Sequence, residues 1–194
     1  MLVCMSRWEP DARGRLERAA FELFQENGYA TTTVPDIAAR AGVTNRTFYR
    51  HFGDKQEVLF GPGNKLPNRV AELMREASTA GNLRDTLQTG IETAAQRFYG
   101  DDPDYFRARH NIIAAEPSLV ERELGKQAIL GQAICSGLIE LGHDPLLAQA
   151  GAEVALAALR IAQARWIDGT DNKPLSAYVR EAFQAIETAA RGLT

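Results

Sequence analysis

Two cysteines in 194 residues, Cys4 and Cys135, stand at no recognisable spacing, which excludes a disulfide framework. Cys135 lies in an apolar helical stretch and reads as a packed thiol. The three histidines, His51, His110 and His143, lack metal-ligand spacing. Neither a Gly-rich phosphate loop nor a nucleophile elbow is present, and carboxylates such as Glu121 and Glu123 read as a solvated face. No enzyme is expected, hence no catalytic residue, metal or cofactor. No uninterrupted apolar run reaches the roughly 18 residues that a bilayer span needs. Met1–Ser6 lacks the layout of a signal peptide. The expectation is a cytoplasmic chain with no membrane partner. Excess positive charge is missing too, since the net charge is −3. Residues 1–60 carry eight basic and eight acidic side chains, against fourteen and seventeen in the rest. Any affinity for a polyanion must therefore come from a local cluster.

Strand-like alternation is also absent, and nearly every segment reads as helix. Leu16, Ala19, Ala20, Leu23 and Phe24 fall on the stripe of a half-buried helix over Asp11–Asn27, closed by Gly28. Thr33 can cap a second helix, Val34–Ala41, with Pro35 in its first turn and Asp36 three residues on. Gly42-Val43 makes the turn, and Thr44 starts a third helix, Thr44–His51. Phe48 and Phe52 point inward from it. Asp54-x-x-Glu57 resembles a capping box for a fourth helix, and Gly61-Pro62-Gly63 interrupts the chain. Longer helices follow at about 67–79, 83–99, 103–115, 117–141, 145–167 and 174–191. The fold class is all-α: a three-helix helix-turn-helix domain over 1–60, then a larger helical-bundle domain over 61–194.

Two short helices joined through a glycine turn suit DNA, because the second fits the major groove and its N-terminal residues reach base edges. Asn45 and Arg46 sit there, with the chemistry to pair with adenine and guanine. Thr44, Thr47, Tyr49 and His51 are donors suited to phosphate oxygens, and Arg50 shares the outer face. Thr32 and Thr33 place amides and hydroxyls where a phosphate could sit. Lys55, a cation at a helix N-terminus, would be relieved of an unfavourable dipole contact by a bound phosphate. The alternative is solvation beside Asp54 and Glu57.

The stretch Gly28–Lys55, GYATTTVPDIAARAGVTNRTFYRHFGDK, resembles the DNA-binding signature of the TetR family. The matching elements are Gly28-Tyr29, Thr32-Thr33-Val34, Asp36-Ile37-Ala38, Ala41-Gly42-Val43, Thr47-Phe48-Tyr49, His51-Phe52 and Lys55. The resemblance implies a homodimer on a pseudo-palindromic double-stranded DNA operator. It implies phosphate contacts from the positions of Thr33, Thr44, Tyr49, His51 and Lys55, and sequence preference from Asn45, Arg46 and Arg50. Pro35 departs from members that read a base with a polar residue there. Gly61-Pro62-Gly63 departs from the many members whose fourth helix runs unbroken.

In the C-terminal two-thirds, Leu130, Ile134, Leu138 and Leu141 lie on one stripe. Residues 145–167 hold eight alanines and read as buried on most sides. Tyr178, Val179, Ala182, Phe183 and Ile186 mark another apolar face. The resemblance implies dimerisation through 145–167 and 174–191. It also implies a small-molecule effector among the middle helices, with candidate contacts at Phe98, Tyr105, Phe106, Arg109, His110, Gln127, Gln163 and Trp166. Each of these also reads as core or surface. The stretch Val120–Gln127 with Arg165-Trp166 is similar to a subset that includes acyl-coenzyme-A-responsive members. The expected function is a repressor released by its effector. A DNA-binding dimer without an effector, or an activator, is the alternative.

Overall fold

Asp11 opens the first helix of the computed structural model, which describes residues 11–60, 66–78, 82–99, 102–171 and 173–192. Its carboxylate accepts the Gly14 amide at 2.9 Å and caps α1, Ala12–Asn27. The expected stripe of Leu16, Ala19, Ala20, Leu23 and Phe24 is buried. Thr33 and Asp36 form a reciprocal capping box on α2, Val34–Arg40: the Thr33 amide meets Asp36 Oδ2 at 2.9 Å, and the Asp36 amide meets Thr33 Oγ1 at 3.4 Å. Gly42 then reverses the chain at φ 67, a conformation that a Cβ would strain. The Gly42 and Val43 amides return to the Ala39 and Ala38 carbonyls at 3.1 and 2.9 Å. Thr44 caps α3, Asn45–His51, by accepting the Thr47 amide at 3.2 Å. The fourth helix, α4, is one turn, Glu57–Phe60. Its start is the expected box: Asp54 Oδ1 takes the Glu57 amide at 2.7 Å, and Glu57 Oε2 takes the Gly53 amide at 2.6 Å.

Six longer helices follow: α5 Leu66–Ala77, α6 Leu83–Phe98, α7 Pro103–Ala114, α8 Pro117–Glu140, α9 Pro145–Asp168 and α10 Leu175–Arg191. Proline stands in the first turn of α7, α8 and α9, where its missing N–H costs nothing. Gly61-Pro62-Gly63 and Cys4 lie outside the described residues.

Two hydrophobic cores form. The larger joins α5, α6, α8, α9 and α10 through Met74, Leu87, Ile134, Ala155 and Val179, among others. Cys135 packs half-buried against it. Helices α8 and α9 approach closely because Gly131 lacks a side chain; a Cβ there would lie 2.8 Å from a Leu156 methyl. The smaller core is built on α1–α4, but Ile112 and Ile113 of α7 and Leu119 of α8 complete it. The C-terminal helices thus supply part of the floor on which the first four stand.

Helix α9 departs from expectation twice. By length and composition it could cross a bilayer, with a mean hydropathy of 1.3 over its most apolar window. Counting uninterrupted runs missed this because Glu153 and Arg160 break the run. Here it is a core helix against α6, α8 and α10. Yet only 39% of that window is buried, so burial on most sides does not hold within one chain. Leu146, Leu147 and Ile161 are 75%, 50% and 40% exposed. In α10 the marked face of Tyr178, Val179, Ala182 and Phe183 is buried in the chain's own core. Those four side chains are therefore not a surface for a second copy.

Candidate nucleic-acid interface

Helix α3 is fixed from below. Phe48 and Phe52 are 0% and 1% exposed, with ring centroids 5.5 Å apart. From α1, the Arg13 guanidinium stacks 4.6 Å over the Phe52 ring, and its Nη1 donates to the His51 carbonyl at 3.4 Å. This anchoring turns Asn45, Arg46, Tyr49 and Arg50 into solvent, with Thr47 and His51 half-exposed at its edges. Tyr49 is 58% exposed, its ring edge-on to Phe48. The Thr44 and Thr47 hydroxyls lie 3.1 Å apart. Asn45 and Arg46 make no side-chain hydrogen bond or ion pair to any described residue. Arg40, on the neighbouring helix, is tied to Glu26 and Glu22 at 2.8 and 3.4 Å.

Three expected phosphate contacts sit differently from their sequence reading. Thr32 is 3% exposed, and its hydroxyl donates inward to the Gly28 and Leu23 carbonyls at 2.9 and 3.2 Å. The hydroxyl ties the α1–α2 loop and is turned away from solvent. Thr33 is exposed, but its hydroxyl and amide both lean on Asp36, whose carboxyl these bonds hold below its ordinary range. Lys55 is not simply solvated beside Asp54 and Glu57. Its Nζ donates to the Tyr29 and Thr32 carbonyls at 2.7 and 2.8 Å and lies 4.0 Å over the Tyr29 ring. Burial lowers its pKa, opposed by the charge of Glu116. Two of its three donors are committed to the α1–α2 loop.

Comparison with known proteins agrees with this geometry. Residues 17–60 match the family described as "Bacterial regulatory proteins, tetR family", and residues 82–191, more than half the chain, match "MftR C-terminal domain" of the same regulators. The chain belongs to the TetR family. An uncharacterized HTH-type transcriptional regulator of Mycobacterium tuberculosis is 33% identical over 101 residues, 52% of each chain. The chain thus spans about half the length of that relative. The HTH-type transcriptional activator FasR of Mycolicibacterium smegmatis is 26% identical over 153 residues, 69% of this chain and 70% of its own. Among solved structures, Thermus thermophilus FadR, a TetR-family repressor in complex with lauroyl-CoA, superposes with a TM-score of 0.53. It shares 22% identity over 89% of this chain and 91% of that one, a likeness of fold alone. The family model is described as one of bacterial regulatory proteins, a class of transcription regulators and not of enzymes.

The residues expected around a TetR effector divide. Phe106 meets Trp166 and Tyr99 at 5.3 Å each, and Gln163 lies near Tyr99. Burial raises the pKa of Tyr99. Phe98 packs half-buried on the larger core, and Gln127 is half-buried on α8. His110 is exposed. Tyr105 is 38% exposed and bridges two groups: it meets Phe106 edge-on at 5.2 Å and stacks on Phe21 of α1 at 4.8 Å. Arg109 turns to α4, donating to the Leu59 carbonyl at 2.7 Å and pairing with Glu123 at 2.9 Å. Two clefts of about 400 and 390 Å³, lined around Asp168–Asp171 and around Phe24, Tyr29 and Ile112, contain none of the eight candidates.

Phe60, Arg122 and Lys126 were missed. The Phe60 ring carries Lys126 at 4.6 Å and Arg109 and Arg122 at 5.3 Å each. The i, i+4 spacing of Arg122 and Lys126 was readable as one face of α8, but not what that face would meet.

Proposed function

We propose that this TetR-family chain acts as a homodimeric repressor on a pseudo-palindromic operator and is released by a small-molecule effector. The observation that carries the reading is the outer face of α3. Its aromatic side is locked into the core, while Asn45, Arg46, Tyr49 and Arg50 stand in solvent with Asn45 and Arg46 unengaged by any described residue. In this reading Asn45, Arg46 and Arg50 read bases. Thr33, Thr44, Thr47, Tyr49 and His51 contact phosphates, Thr32 contributes through its backbone, and Lys55 through its third N–H. Residues 1–60 form the DNA-binding domain and 61–194 the effector-binding and dimerisation domain. The exposed apolar side of α9, with Leu146, Leu147 and Ile161, supports a second copy packing there. Phe98, Tyr105, Phe106, Gln127, Gln163 and Trp166 are the effector candidates on the bundle. FadR's bound lauroyl-CoA and the Val120–Gln127 likeness put acyl-coenzyme-A compounds first among those to test.

Selection from a genomic fragment library, followed by footprinting, tests this. The expected result is a protected pseudo-palindrome, lost in Tyr49→Ala. Failure of the purified protein to retain any fragment at low salt overturns it. FasR, named an activator, supports a second reading: transcription from a reporter carrying the selected site then rises rather than falls.

A further inference from the structure

The last turn of α4 is held by side chains from two other helices. Leu59 and Phe60 are the last residues of α4, and the final carbonyls of a helix are acceptors at the negative end of its dipole. Arg109 of α7 donates Nε to the Leu59 carbonyl at 2.7 Å, and Lys126 of α8 donates Nζ to the Phe60 carbonyl at 3.1 Å. Arg109, Lys126 and Arg122 also lie over the Phe60 ring. Arg122 reaches past it to Asp54 and Gln56 at 2.9 Å each, at the start of the same helix. Glu123 pairs with Arg109 at 2.9 Å. Cations and carboxylates balance across this cluster, with Asp54, Glu57 and Glu123 opposing the three bases, which argues against an anion-binding site. The bonds to Asp54, Gln56, Leu59 and Phe60 join residues at least 50 positions apart and cross from the DNA-reading unit to the bundle, while the Arg109–Glu123 pair ties α7 to α8. Apolar contacts beside it tolerate sliding; hydrogen bonds to carbonyls at these lengths are directional.

We infer that Arg109, Arg122 and Lys126 are positioning residues for DNA recognition, holding the angle of each helix-turn-helix unit on its bundle and so setting the half-site separation the dimer accepts. This rests on the dimeric operator-binding reading above. Changing the separation by one base pair shifts a half-site by about 3.4 Å and rotates it by about 35°. A rigid joint rejects that change, and a loosened one follows it.

The test uses the full-length protein and the operator recovered by selection, remade with the separation changed by −1, +1 and +2 base pairs, together with a single half-site. Wild type is expected to lose about tenfold or more in affinity per base pair of change, because both units no longer engage together. In Lys126→Met, Arg109→Met and the double variant, the dependence flattens to within about threefold, with single half-site affinity unchanged. Phe60→Leu keeps both carbonyl bonds and removes the ring, so it flattens the dependence partly. It carries the test with Lys126→Met if Arg109→Met does not fold. A uniform loss at all separations, tracking a lower melting temperature, assigns these residues a structural role only and overturns the proposal. Variants as selective as a selective wild type also overturn it, while leaving the dimer reading intact. A wild type that binds no DNA, or binds every separation equally, overturns the dimer reading and this inference with it.

Discussion

The outer face of α3 and the joint at the end of α4 use the same chemistry for opposite ends. Both present basic side chains beside an aromatic residue. On α3, Arg46 and Asn45 engage no described residue, and Tyr49 stands more than half in solvent. At the joint, Arg109, Arg122 and Lys126 are all committed to carbonyls, carboxylates and one ring. Side chains left unsatisfied by their own chain are available to a partner; side chains fully engaged hold one part of the molecule against another. Lys55 and Thr32 show why residue type alone does not separate the two classes. Both lie within the family signature, and both are spent largely inside the protein.

The largest effect expected is at the base of the outer face. Phe48→Ala removes a fully buried ring that contacts Phe52 and Tyr49, and should cost about 3–5 kcal/mol of stability. Denaturant unfolding checks it; a loss under about 1 kcal/mol would mean α3 is not anchored through Phe48. Next comes Arg46→Ala, expected to leave stability unchanged and weaken operator binding by about 1–3 kcal/mol, most at one base position. Titration against operators substituted singly measures both. Equal weakening on every sequence would make Arg46 a phosphate contact instead.

Thr32→Val sharpens the comparison from the other side. One hydroxyl proton, shared between the Gly28 and Leu23 carbonyls, is lost inside the protein at about 0.5–1.5 kcal/mol, while affinity per folded dimer stays the same. Weaker binding with unchanged stability would return the Thr32 hydroxyl to the DNA surface.

What could be read in advance divides along the range of the contacts. Helix ends were legible to within one or two residues, because Asp11, Thr33, Thr44 and Asp54 each cap through a bond three residues long. The inward Phe48 and Phe52 followed from spacing on a single helix. The α4 joint was not legible, since its donors come from 50 to 68 positions away and the meeting depends on how α7 and α8 cross the first core. Arg109 reads by its chemistry alone as an effector contact, and its bonds to Leu59 and Glu123 depend on that crossing. The same limit applies to α9: composition marked it as apolar nearly all round, but which side faces its own chain is set by α6, α8 and α10.

The smallest effect expected is a dependence on pH at the joint. Burial, together with the like charges of Arg109 and Arg122, lowers the Lys126 pKa from 10.5 to about 8, with Glu123 and Glu57 opposing. In the unfolded chain the amine keeps its ordinary value, so between about pH 8 and 10.5 the unfolded state holds more protons than the folded state. Stability from this group therefore rises with pH across that window, and the cost of carrying the charge is greatest below it. Lys126→Met has no such group. Its melting temperature relative to wild type should be most favourable at pH 7 and should lose ground as the pH is raised toward 10. Half-burial screens the charge, which keeps the change small. If the difference between the two proteins is flat from pH 7 to 10, the amine is not held in the joint as described. If it moves as expected while Lys126→Met also loses its selectivity for half-site separation, the ammonium is retained at a cost in stability for the geometry it enforces, unlike Arg46, whose removal should cost the fold nothing.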